Sequence, residues 1–137
     1  MAAKDSLGHA LTGATSASVT SYETAIHQFQ CYIGDPVGTV DAALGASPDF
    51  VMAHVLKAYL HLLGTEPDGI PIARDCHIAA SRLPANGRER GHVAAIGHLI
   101  NGRWHAAART LEDVSIDYPR DCLALQAGHV IDFFTGE

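Results

Sequence analysis

The sequence predicts an all-α fold, a short solenoid of antiparallel helix pairs, on three observations. Pro48, Pro84 and Pro119 stand 36 and 35 residues apart, each closing one Ala/Leu-rich stretch and opening another. Fixed spacing at about this length is the mark of a helix-hairpin repeat, in which one pair of helices cannot bury its apolar face without neighbours. Sliding the segment that begins at Val37 by 71 residues sets apolar on apolar: Val40 meets Leu111, Pro48 meets Pro119, Met52 meets Leu123 and Tyr59 meets Val130. Helix-capping chemistry also recurs at the start of the periodic stretches.

Seven helices follow in order. Residues 1–20 read as a flexible N-terminal arm and residues 21–137 as one helical repeat domain of about three and a half helix pairs. The first helix is placed over 22–33 and ended by Gly34. Asp35 caps the second, with Pro36 at its first position, where a missing N–H costs nothing, and the helix runs to Ala46. Asp49 is read as the cap of the third, 50–63, whose core face is Met52, Leu56, Tyr59, Leu60 and Leu63, with Gly64 as its stop. A Pro- and Gly-rich loop, 64–71, leads to the fourth over 72–83. Asn86, followed by Glu89, forms a capping box for the fifth, which ends at Asn101 and Gly102. The sixth spans 103–116, and Asp121 caps the seventh, 122–134.

The seventh helix ends the pattern on half a repeat. Leu123, Ala127, Val130 and Phe134 are expected to pack back on the preceding pair, leaving Leu125, Ile131 and Phe133 uncovered. Self-association through this helix, or a natural chain that continues further, would cover them.

Bulk composition narrows the function classes. The chain has 137 residues with 47% hydrophobic and 18% charged composition, which suits one folded domain. Nine Lys and Arg against fifteen Asp and Glu give a net charge of -6, without the basic footprint that nucleic acid or an acidic membrane surface requires. Cys31, Cys76 and Cys122 are an odd number at wide spacing, read as reduced thiols of a cytoplasmic protein. The most apolar stretch, 50–63, is shorter than the roughly 20 residues that span a bilayer and contains His54, Lys57 and His61, so no transmembrane segment is expected.

A period near 34 residues is that of tetratricopeptide repeats, and particular segments narrow the likeness. Phe50-Val51-Met52-Ala53-His54 with Leu63-Gly64-Thr65, Arg88-Glu89 followed by His92-Val93, Asn101-Gly102, and Leu123-Ala124-Leu125 with His129 and Phe133 together cover nearly all of the chain after residue 20. In these the chain resembles the N-terminal region of the tetratricopeptide-repeat protein 38 family. The resemblance implies an all-helical tetratricopeptide-like repeat, a cytoplasmic location and longer full-length relatives, and no characterised reaction.

Nine histidines are the compositional oddity. In tetratricopeptide folds the first helix of each pair lines a concave groove, so His54, His92 and His129 are candidates to converge there from three successive pairs. The ordinary alternative is that each imidazole hydrogen-bonds across a helix interface. Metal or catalytic use lacks the local His or Cys pairs typical of zinc sites, and neither a metal nor a cofactor is expected. Arg88 is read either as a solvated charge beside the capping Glu89 or, with Lys57 and Gln126, as a donor to an acidic peptide or carboxylate.

The leading expectation is a non-catalytic scaffold that binds a protein or peptide along a concave groove through His54, Lys57, Arg88, His92, Gln126 and His129. The alternative is a small-molecule- or metal-binding unit, catalytic or not, built on converging histidines.

Overall fold

The computed structural model describes residues 3–64 and 68–136. Its helices are α1 (Ser16–Cys31), α2 (Pro36–Ala46), α3 (Val51–Leu63), α4 (Gly69–Ser81), α5 (Gly87–Ile100), α6 (Trp104–Asp117) and α7 (Cys122–Thr135). They pack as adjacent pairs, α1 with α2, α3 with α4 and α5 with α6, and α7 lies against α6. Capping accounts for several starts. Asp35 accepts from the Gly38 N–H, Asp121 from Ala124, and Asn86 and Glu89 complete a reciprocal capping box.

Four features depart from the sequence reading. Residues 3–11, expected within a loose arm, fold into a hairpin of β1 (Ala3–Lys4) and β2 (Ala10–Leu11) that pair antiparallel, with Leu11 fully buried. Helix α1 starts at Ser16 rather than at residue 22, because Thr15 and Ser18 form a second capping box in a Ser/Thr-rich stretch of weak apolar signal. Asp49 does not cap α3: Phe50 holds the N-cap position with no side-chain bond. Helix α4 begins at Gly69, with Pro71 in its first turn where a proline is tolerated; the expected loop over 64–71 lies partly outside the described residues.

Helix α3 is the hub. Nine of its residues are buried, including Met52, Leu56 and Tyr59, and it contacts α1, α2, α4, α5 and α7. Helix α7 also touches α3, which brings helices from the two ends of the 51–135 stretch together. On α7, Ile131 is fully buried and Phe134 is 46% exposed, the reverse of the sequence expectation, while Leu125 and Phe133 stand exposed as expected. The Phe134 ring meets Trp104 edge-on instead of entering the core.

Candidate functional site

A buried polar seam joins α3, α5 and α7. The Tyr59 hydroxyl lies 2.8 Å from His92 Nδ1, and His92 Nε2 lies 2.7 Å from Asp121 Oδ2. Arg88 Nη1 donates to the same Oδ2 at 3.0 Å, and the Ala124 N–H donates to Oδ1 at 3.0 Å. One imidazole thus bridges the Tyr59 hydroxyl on one ring nitrogen and the Asp121 carboxylate on the other.

Electrostatics favour that arrangement. Burial alone would raise the Asp121 carboxyl, but the His92 bond, the Ala124 amide and the Arg88 charge outweigh it and hold the group well below the usual carboxylate range. Burial would likewise lower Arg88, and the facing Asp121 raises it instead. Tyr59 is pushed upward by burial and by Asp121, so it stays a phenol.

A second polar cluster pins the N-terminal hairpin to α5. Fully buried Glu89 accepts from the Thr12 N–H at 3.0 Å, the Thr12 hydroxyl at 2.6 Å and the Asn86 N–H at 2.9 Å. Asn86 Nδ2 donates to the Ala10 carbonyl at 3.2 Å. Gly13 makes the approach possible: its φ is +82°, and a Cβ there would fall 1.8 Å from the Asp49 carbonyl oxygen.

Beside the seam the hairpin, α1 and the starts of α5 and α7 border a half-open pocket of about 250 Å³, with Tyr22, Arg88 and Asp121 in its wall. A second, shallower groove of about 570 Å³ runs between α6 and α7. Ala108, Leu111, Ala124, Leu125 and Gly128 contribute to it, with His105, Arg109, Glu112, His129 and Asp132 supplying its polar side chains.

The six groove candidates are thus distributed over different surroundings. Arg88 and His92 meet on Asp121 inside the protein. His54 Nε2 lies 2.8 Å from the Pro48 carbonyl oxygen, which ties it to its own helix start. Lys57 pairs with Asp41 at 2.7 Å. Gln126 is half-buried on α7, and His129 is exposed beside the α6 and α7 groove. His54, His92 and His129 therefore occupy three separate environments rather than one groove. Among the described residues, no three His, Cys, Asp or Glu side chains gather as a metal site. Cys76 is buried, and its thiol is pushed up to about 11 by burial.

Asp121 is the centre of the seam, and the sequence showed it only as a helix cap. Tyr59 read as core, and Thr12, Tyr22 and Glu23 carried no signal.

No family model matches the chain, and no solved structure matches it. Among the described residues, no helix is long and apolar enough to cross a membrane.

Proposed function

We propose that this chain is a tetratricopeptide-like helical scaffold that docks an amphipathic helix of a partner protein in the groove between α6 and α7. The observation that carries the reading is that groove's combination of an apolar centre, charged margins and adjoining uncovered side chains. Leu125 and Phe133 are 46% and 80% exposed, while the small, half-exposed Ala108 and Gly128 let another backbone approach closely. Margins bearing Arg109 and Glu112 on one side and His129 and Asp132 on the other offer both signs of charge to the polar flanks of an incoming helix. This is helix-in-groove recognition, read by anchors at i, i+3 or i+4, and i+7. The site thus differs in place from a concave face along α3 and α5, and it retains His129 from the expected set.

A library of displayed helical peptides, selected on the immobilised chain, tests the reading. Selected sequences should carry an apolar stripe at helical spacing and bind at least about tenfold more weakly to Leu125→Asp and Phe133→Asp proteins, the loss expected when an apolar anchor meets a charge. Enriched peptides without such a stripe, binding indifferent to both substitutions, or no enrichment would overturn it. So would a dimer in sedimentation equilibrium that Phe133→Asp dissolves, since a second copy would then be the occupant.

A further inference from the structure

The last turns of α1 set an imidazole and a thiol side by side on the surface. His27 and Cys31 stand at i and i+4 on one face of the helix, and both are exposed. Cys31 Sγ lies 3.8 Å from His27 Nδ1 and 3.9 Å from Nε2.

That separation is close to the bite of a tetrahedral zinc ion. Bonds of about 2.3 Å to sulfur and about 2.0–2.1 Å to nitrogen, opened to the tetrahedral angle, hold the two donor atoms about 3.6 Å apart. Because the ring nitrogens stand at nearly equal distances, a turn of the exposed ring directs either lone pair at an ion held by Sγ. The local field also suits a cation. Cys31 closes α1, at the negative end of the helix dipole, and Glu23 stands one turn before His27 on the same face. Thiolate with imidazole selects zinc over calcium or magnesium, which take oxygen donors.

Two ligands do not close such a site. Structural zinc takes four protein ligands, and among the described residues no third His, Cys, Asp or Glu joins this pair. The adjoining surface points to where the others come from. Tyr32 and Ile33, next along the chain, are 80% and 53% exposed, and Tyr32 holds a φ of 55°, an outlier for a bulky side chain. A twofold contact over this corner brings the same pair from each copy onto one axis, completes two sulfur and two nitrogen ligands, and covers both apolar side chains.

We infer that His27 and Cys31 form half of a zinc site, which a second copy of the chain completes as a zinc-bridged dimer. Each thiol gives up its proton to solvent as the ion binds, and no oxidation is involved. The inference is independent of the docking reading, because neither ligand lies in the groove between α6 and α7.

Zinc chloride titrated into the full chain, kept reduced with a phosphine, tests it. Sedimentation equilibrium should show a monomer without metal and a dimer with it, saturating at about half an equivalent of zinc per chain. EDTA should restore the monomer. Cobalt(II) in place of zinc should give the intense visible bands of a tetrahedral ion with thiolate ligands. Cys31→Ser and His27→Ala, both at exposed positions where folding is little affected, should each weaken zinc binding at least about a hundredfold and abolish the dimer. Cys122→Ser, which removes the other exposed thiol, and Phe133→Asp should leave both unchanged. A monomer at every zinc concentration, one zinc per chain, a dimer that forms without metal or survives Cys31→Ser, or loss of the zinc-bridged dimer in Cys122→Ser or Phe133→Asp would each overturn the inference.

Discussion

Asp121, at the start of α7, and Leu125, one turn further along, sit in opposite surroundings. Asp121 is 2% exposed and collects bonds from α5 and from its own helix, whereas Leu125 is 46% exposed and borders an open groove. Chemistry and burial are inverted with respect to ordinary patterning: the charged side chain is inside and the aliphatic one outside. A charge goes inside only when it is paired and hydrogen-bonded, as Asp121 is by Arg88, His92 and the Ala124 amide, and an aliphatic residue outside costs little by itself. The inner end of α7 therefore governs folding, and the outer face is free to serve an interaction.

The largest blow to that contrast should come from Asp121→Asn, which leaves Arg88 buried without a counter-charge. Urea unfolding should show a loss of about 3–5 kcal/mol, as expected when one partner of a buried ion pair is removed. The same substitution sharpens the contrast through pH. Because the folded protein holds Asp121 below the usual carboxylate value of about 4, its contribution is complete above that pH and disappears as pH falls through the folded value. Acid unfolding of the parent chain below about pH 4 should thus be steeper than that of Asp121→Asn, and equal slopes would remove Asp121 as its source.

Gly13→Ala should have the next largest effect. The new Cβ collides with the Asp49 backbone at a positive φ, so the hairpin must shift, at about 2–3 kcal/mol. Hydrogen exchange should quicken first at Thr12 and Val51, whose amides bond across this junction. Smallest of all, Leu125→Asp and Phe133→Asp should change stability by no more than about 1 kcal/mol, since both side chains are largely exposed and Phe133 gives up only an edge-on contact with Phe134. A cost near that of Asp121→Asn would mean that the outer face is part of the core and would end the comparison.

The helices were legible because their signals are local. Asp35, the pair Asn86 and Glu89, and Asp121 mark starts by chemistry confined to a few residues, and the apolar period of α3 is unbroken. The hairpin was not legible, because two-residue strands among Gly, Ser and Thr have no period, and what orders them is a glutamate far along the chain. The site was half legible. Arg88 and His92 stood out by residue type, but their partner Asp121 lies about thirty residues further on, at the start of another helix, and only the folded packing brings it to them. Sequence pattern specifies which residues share a helix face and says little about whether that face stays open. His54 illustrates the point, since its partner is a carbonyl at its own helix start rather than a ligand.

The bond from Thr12 to Glu89 spans 77 residues. A chain emerging N-terminus first at about 5–20 residues per second exposes Thr12 roughly 4–15 s before its acceptor exists. During that interval Leu11 has no finished pocket, and the segment ahead of α1 must wait in solvent. The segment that carries the hairpin and Thr12 is therefore among the last parts to settle, and anything that binds it during synthesis competes with its own fold.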